Sequence, residues 1–366
     1  HSMKEKLERY KFFRILASIY EIKAIRLLIP LAVIALVYWE GQRELRQIHL
    51  GRTFHELRLL PVGTVVGICL FSLFSVGVMS LYDHMIRMHF KLKVGWWNMF
   101  RYAWIANTFN NIIGFAGLTG AGLRTLLYKR SGIAPSLMAS AVVFLSPVII
   151  TGLSIMSWAV LAGLFPATTM IREHRWLIFA VWGMALYLPL FILMQRSSLF
   201  ARWFNKGEGR TPWSTVAVSL CASLLEWVCA GVTFWLIAAS VLHDVTFQGV
   251  MGMYTVSAIA GILSMAPGGI GAFDLTVLLG IEHMGFPAER AMAVLVLFRL
   301  FYYVIPWLIG LIMAAFEFGS PAKRNLEKVE TAIEIPLNAW QRLWRWPGQM
   351  RFLSDLGVWA LGKLVL

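Results

Sequence analysis

Five ionisable residues lie in surroundings too apolar to hold them idly. Asp83 closes SLYD, Arg124 follows the glycines of FAGLTGAGLR, Glu226 sits in LLEWVC, Asp274 follows APGGIGAF, and Arg299 interrupts VLFRLFYY. A charge at membrane depth is costly, so such a residue faces a partner, a wet cavity or a substrate and is a functional candidate by default. Arg124 beside glycine-rich backbone could hold an anion, and the acids could hold a cation or exchange a proton. For Glu226 and Arg299 the alternative is a structural ion pair between neighbouring helices. Asn107, Asn110 and Asn111, in ANTFNNIIG, could line the same cavity or join helices by hydrogen bonds.

The two glycine-rich stretches fall inside otherwise apolar segments. Gly117, Gly120 and Gly122 punctuate the first; in the second Pro267 removes a backbone donor while Gly268, Gly269 and Gly271 admit positive φ. Irregular backbone at membrane depth is tolerated only where protein or water covers it, so both stretches are expected to line a cavity. A helix restarting near Ala272 would turn free amides and its positive dipole end toward that cavity, with Asp274 in its first turn. A proline kink in a continuous span is the alternative. FAGLTGAGLR has no GK[ST] ending and no preceding βαβ pattern, which argues against a nucleotide loop, while an anion at a re-entrant helix end stays open. There is no HExxH, no GxSxG and no Ser/His/Asp grouping at membrane depth, so soluble-type catalysis is not expected. Cys69, Cys221 and Cys229 lie in apolar spans without CxxC spacing and read as small core residues, leaving neither a metal site nor a cofactor to predict.

The elements that must position these residues are membrane helices. Of 366 residues 58% are apolar and 14% charged, against about 25% charged in a soluble globule. The fold class is an all-α polytopic membrane protein. Apolar windows recur near 24–39, 61–82, 98–123, 135–165, 176–194, 213–242, 249–281 and 291–316, which makes eight segments.

Basic residues in short loops decide between two topologies, because they concentrate on the cytoplasmic side. With eight full spans and the N-terminus inside, Arg87, Lys91, Lys93, Arg172 and Arg175 are inner. Arg43, Arg46, Arg52, Arg58, Arg124, Lys129, Arg130, Arg196, Arg202, Lys206, Arg210 and Arg290 are then outer, the wrong way round at five against twelve. If segments three (98–128) and seven (249–281) enter, break and return, Arg124, Lys129, Arg130, Arg196, Arg202, Lys206 and Arg210 join the inner set while Arg172 and Arg175 leave it, and the balance becomes ten against seven. The re-entrant scheme follows, with four arginines in the first outer loop as its remaining misfit. It makes residues 27–165 and 175–316 an inverted-topology repeat, in which Gly/Pro-broken segments at matching places point to a transporter's central site.

Around these repeats, His1 and Ser2 read as a cloning scar ahead of Met3. Residues 3–26 mix Lys and Arg with Leu7, Phe12, Leu16, Ile19 and Tyr20 at helical spacing, which suits a helix lying on an anionic membrane face; a solvated charged helix is the alternative. No cleavable signal precedes the first span. Residues 319–351 are basic and carry Trp340, Trp344 and Trp346, and the apolar run from Phe352 to Leu366 is too short to span, as if a further segment began there. The formal charge of +14 is scattered among short loops instead of forming one stripe with stacking aromatics, so anionic lipid is the expected partner and nucleic acid is not.

SLYD around Asp83, GLTGAGLRTLLYKRSG around Arg124, LLEW around Glu226 and APGGIGAFD around Asp274 together resemble the N-terminal membrane half of the bacterial multiple peptide resistance factor family. That family lies within the lysylphosphatidylglycerol synthase transmembrane-region superfamily. The resemblance covers about residues 3–320, and the PGGIG signature is shared by relatives with other lipid substrates. It implies a multi-pass protein of the bacterial plasma membrane with a cytoplasmic N-terminus. The implied function is a flippase half that moves lysylphosphatidylglycerol to the outer leaflet and so weakens attraction for cationic antimicrobial peptides. In such proteins a separate C-terminal cytosolic domain makes the lipid from phosphatidylglycerol and lysyl-tRNA, so synthase activity is not expected of residues 1–366. Asp83 and Arg124 map to the family's functional acid and arginine. A headgroup with a phosphate and amines calls for both signs of charge: Arg124, helped by Arg299, for the phosphate, and Asp83, Glu226 and Asp274 for the amines. The resemblance leaves a homodimer open. Rival readings are an intramembrane lipid-modifying enzyme and a platform for the synthase domain.

Overall fold

The computed structural model describes residues 58–113, 117–197, 211–264, 269 and 271–318. The first apolar window, the basic stretch 3–26, the Trp-rich stretch 319–366, Pro267 and Gly268 lie outside them. The elements are α1 (Val62–Val78), α2 (Ser80–His89), α3 (Trp96–Ile113), α4 (Leu118–Arg130), α5 (Pro135–Leu145), α6 (Thr151–Leu161) and α7 (Thr168–Glu173). They continue with α8 (Trp176–Arg196), α9 (Trp213–Leu242), α10 (Phe247–Leu263), α11 (Ala272–His283), α12 (Ala288–Phe298), a π-helical turn Arg299–Val304, and α13 (Ile305–Phe318). Among the described residues there is no strand, and the chain is an all-α membrane protein.

Among the described residues, four helical stretches are long and apolar enough to cross a membrane: Val62–His89, Trp176–Arg196, Trp213–Leu242 and Ala288–Phe318. The shortest has 21 residues, about 32 Å at 1.5 Å per residue, against a hydrocarbon core of about 30 Å. These stretches fall on the second, fifth, sixth and eighth apolar windows. On α1 the four-residue spacing sorts the faces: Val62, Val66, Leu70 and Phe74 are exposed, whereas Ile68, Ser72, Ser75 and Val76 are buried.

The third and seventh windows fold differently, because the chain reverses at their glycines. Along α3 and α4, Asn110 Oδ1 accepts from the Gly120 amide (3.1 Å), Tyr102 stacks edge-on to Tyr128, and the Tyr102 hydroxyl meets Ser131 Oγ at 2.9 Å. Numbers that fall on one leg as they rise on the other define an antiparallel hairpin, with Gly117 at φ +86° before α4. In α10 and α11, Gly261 faces Phe273 and Met253 faces Gly280 in the same antiparallel sense, and Gly269 (φ +68°) and Gly271 (φ +95°) supply the turn. Left-handed backbone of this kind strongly favours glycine.

The fourth window, expected as one span over 135–165, is two short helices, α5 and α6, separated at Ser146–Ile150 around Pro147. Proline removes a helical donor and clashes with the preceding turn, and the freed backbone groups are met by side chains. The Pro147 carbonyl accepts from Tyr187 (2.6 Å), the Ile149 carbonyl from Ser223 (2.9 Å) and Trp227 (2.8 Å), and the Gly152 amide donates to Ser223 Oγ (2.8 Å). The same rule governs the other prolines. Pro189 within α8 leaves the Ala185 carbonyl to Trp158 (2.9 Å), and Pro306 leaves the Phe301 carbonyl, its π-helical partner five residues back, to Ser72 (2.7 Å). In lipid every such group needs a protein partner, and here each of these carbonyls has one.

Helix α9 is the central strut, packing against α1, α2, α6, α10 and α12. Small residues bring the backbones together: a Cβ on Gly152 would lie 2.3 Å from the Ser223 carbonyl oxygen, and one on Gly252 would lie 2.6 Å from that of Pro166. The apolar core divides in two. One cluster gathers Phe234, Tyr254, Phe273 and Phe298 around the α10–α11 hairpin, and the other gathers Tyr82, Tyr102 and Tyr128 around the α3–α4 hairpin.

Candidate functional site

From each hairpin one charge close to the glycines pairs with a charge on a neighbouring element. Asp83, on α2, is fully buried and receives the Arg124 guanidinium in a fork: Nε lies 3.1 and 3.2 Å from its two oxygens and Nη2 2.9 Å from Oδ2. Tyr128, four residues beyond Arg124 and so on the same face of α4, donates to Asp83 Oδ1 at 2.9 Å. Asn107, from the other leg, accepts from Arg124 Nη2 at 2.6 Å and donates to the Met79 carbonyl at 3.4 Å. The hairpin thus surrounds a buried ion pair with the extra hydrogen bonds such a pair needs. Next to Asp83, Tyr82 points its hydroxyl to Glu226 on α9, so consecutive residues of α2 hold a carboxylate and a guanidinium from two different helices.

The second pair joins α11 to the π-turn. Arg299 Nη2 lies 2.9 and 3.1 Å from the oxygens of Asp274, and Nε lies 3.3 Å from Oδ1. Asp274 also accepts from the Gly271 amide at 3.0 Å, closing the first turn of α11 on itself. The guanidinium carbon stands 4.7 Å from the Tyr303 ring centroid and 5.5 Å from that of Phe273. The side chains of Arg299 and Asp274 are 22% and 28% exposed, against 6% and 0% for Arg124 and Asp83.

Arg299 therefore pairs with Asp274, not with Glu226, whose recorded partner is the uncharged Tyr82. Arg124 and Arg299 are each held by a different carboxylate. Of the asparagines, Asn107 enters the first pair, Asn110 ties the hairpin together, and Asn111 rests its amide on the Met79 sulfur at 3.7 Å. Gly117 and Gly122 are exposed, while Gly120 packs on Asn110, where an added Cβ would stand 3.1 Å from the Asn110 Cβ.

Sequence reasoning passed over Tyr82, Tyr128, Phe273 and Tyr303 as partners of the charges. Two of them carried a legible signal: Tyr128 and Tyr303 stand four residues beyond Arg124 and Arg299. It also passed over Glu317, which bonds Arg101 at 2.7 Å and lies 3.9 Å from Arg130, tying both legs of the α3–α4 hairpin to the end of α13. Among the described residues no group of three or more His, Cys, Asp or Glu is placed to hold a metal ion.

Residues 24–310 match the family described as Lysylphosphatidylglycerol synthase TM region. The chain is 32% identical over 309 residues to a phosphatidylglycerol lysyltransferase of Bacillus subtilis, covering 84% of this chain and 35% of the relative. A phosphatidylglycerol lysyltransferase of Staphylococcus haemolyticus is 31% identical over 298 residues, covering 81% and 34%. One of Staphylococcus aureus is 30% identical over 285 residues, covering 78% and 33%. The chain spans about a third of the length of these relatives. With its glycine-broken hairpins and their charge pairs, it belongs to the lysylphosphatidylglycerol synthase transmembrane-region family.

Proposed function

We propose that this chain translocates an aminoacylated phosphatidylglycerol, lysylphosphatidylglycerol first among them, from the inner to the outer leaflet of a bacterial plasma membrane. The observation that carries the reading is a pair of oppositely charged side chains at each of two glycine-broken helical hairpins, Asp83 with Arg124 sealed and Asp274 with Arg299 partly accessible. A lysylated headgroup bears a phosphate and amines, so its passage calls for a guanidinium and for carboxylates at membrane depth. In this reading both hairpins are re-entrant, 27–165 and 175–316 form an inverted repeat, and the N-terminus is cytoplasmic. Arg124 receives the phosphate, while Asp83, Glu226 and Asp274 face the amines. The acyl tails stay in lipid as the halves rock. Export of this lipid would lower the surface's negative charge and its attraction for cationic antimicrobial peptides.

A second reading is favoured by the relatives, which are phosphatidylglycerol lysyltransferases of which this chain covers about a third: a membrane platform for a phosphatidylglycerol lysyltransferase domain. Liposomes reconstituted with this chain separate the two. Protein-dependent movement of lysylphosphatidylglycerol, lost in Arg124→Ala at equal incorporation, supports translocation; movement of neither it nor phosphatidylglycerol by folded protein supports the platform. A change in lipid structure seen by mass spectrometry would instead make the chain a lipid-modifying enzyme.

A further inference from the structure

The second charge pair is built differently from an ordinary ion pair. Its guanidinium is held on one side by a carboxylate and on two others by aromatic faces, Tyr303 at 4.7 Å and Phe273 at 5.5 Å. A cation over the face of an aromatic ring and beside an acid is the recognition pattern for organic cations. The walls are fixed independently of the arginine: Phe273 stacks on Phe298 (5.7 Å) and meets Tyr254 (6.1 Å), and Tyr303 packs on Phe298 (5.8 Å) and Tyr302 (5.3 Å). The acid is fixed as well, through the Gly271 amide. Arg299 and Tyr303 share the π-helical turn, a departure from α-helical bonding that recurs at functional sites. About a quarter of both charged side chains is exposed, so the box is open on one side.

We propose that Phe273, Asp274 and Tyr303 form a binding box for an organic ammonium or guanidinium group, and that Arg299 is its resident occupant, displaced when the cationic end of a headgroup enters. Displacement frees a guanidinium beside the incoming lipid, where it can take up the phosphate, so one binding event supplies both counter-charges. The displacement step rests on the translocation reading; the box itself does not.

The box is tested without lipid. Purified Arg299→Ala protein in detergent is titrated with methylguanidinium and butylammonium, with N-methylurea as the uncharged control and sodium chloride held constant, and thermal unfolding is followed. The expected result is a saturable rise in melting temperature with either cation and none with the urea. Half-saturation should move up about tenfold when Tyr303→Leu is added, and the rise should vanish with Asp274→Asn. No stabilisation by either cation, or stabilisation that survives loss of Asp274, overturns the box. Should Arg299→Ala not fold, Tyr303→Leu in the otherwise unaltered chain decides: lysylphosphatidylglycerol movement must fall about tenfold further than that of phosphatidylglycerol, and an equal fall overturns the proposal. If no lipid moves with any protein while the cation titration succeeds, translocation fails and the box stands.

Discussion

The two charge pairs use the same ions for opposite ends. Around Asp83 and Arg124 the protein completes the site: the carboxylate takes both guanidinium nitrogens and the Tyr128 hydroxyl, Asn107 takes a remaining guanidinium proton, and almost nothing is exposed. Around Asp274 and Arg299 the guanidinium also lies against the Phe273 and Tyr303 rings, and about a quarter of each charged side chain is exposed. The hairpin turns show the reverse order. Gly117, at the turn of the sealed hairpin, has no atom of the described residues within 4 Å of the place a Cβ would take, whereas Gly269, at the turn of the open one, packs against Gly261 and Phe273. One hairpin is closely packed at its charges and open at Gly117; the other is closely packed at Gly269 and partly exposed at its charges. The proposed translocation would need both, a fixed counter-charge to preserve the fold and an exchangeable one to meet the cargo.

The sharpest way to break this comparison is to remove one arginine from each pair. Arg124→Ala strands a carboxylate in a closed site and is expected to lower stability by about 3–5 kcal/mol. Arg299→Ala exposes Asp274 on its open side and is expected to lower it by at most about 1 kcal/mol. Thermal and denaturant unfolding in detergent read both. Equal losses would mean that the open side faces hydrocarbon instead of water. Replacing the sealed pair by apolar residues of similar size, Asp83→Leu with Arg124→Met, is expected to restore most of the loss while leaving lipid translocation abolished.

A smaller effect sharpens the same contrast from the side of the tyrosines. Tyr82→Phe takes from Glu226 the hydroxyl it is recorded to accept from, an expected loss of about 1–3 kcal/mol. Tyr128→Phe takes one bond from a carboxylate that keeps its arginine, with an expected loss of about 1 kcal/mol. The order of the two melting temperatures is the observable. A larger drop for Tyr128→Phe would mean that Asp83 depends on its tyrosine more than Glu226 does on Tyr82.

Much of this was legible in the chain. Charges in apolar runs stand out because the background is uniform, so Asp83, Arg124, Glu226, Asp274 and Arg299 could be picked out one by one, and the glycine clusters marked where the chain turns. Pairing was not legible. Which charge meets which depends on how far each helix is rotated about its axis, and hydropathy carries no such angle, so a Glu226–Arg299 pair stands as one alternative in the sequence while the structure pairs Arg299 with Asp274. The break at Pro147 was missed for a related reason. Its apolar flanks read as one span, and what makes the interruption tolerable, Tyr187, Ser223 and Trp227, comes from segments far away in sequence. The aromatic walls around Arg299 were hidden because tyrosine and phenylalanine are unremarkable in a chain with 24 Phe and 10 Tyr.

Two glycine substitutions test the turns. Gly117→Ala places a Cβ in open space, so only the left-handed backbone opposes it, at about 1 kcal/mol. Gly269→Ala meets the same backbone restriction and also brings its Cβ to 3.3 Å from the Gly261 Cα and 3.4 Å from the Phe273 Cβ, contacts with little freedom to yield. Crowding of that kind adds about 1–3 kcal/mol, and it presses on the ring that walls the open charge pair. Gly269→Ala should therefore lower both melting temperature and cation affinity in the Arg299→Ala background, while Gly117→Ala should lower melting temperature slightly and leave that affinity unchanged. If the two substitutions prove equal in both measurements, the packed tip of the α10–α11 hairpin does not hold Phe273 in place, and the rigidity ascribed to the box has to come from Phe298 and Tyr254 alone.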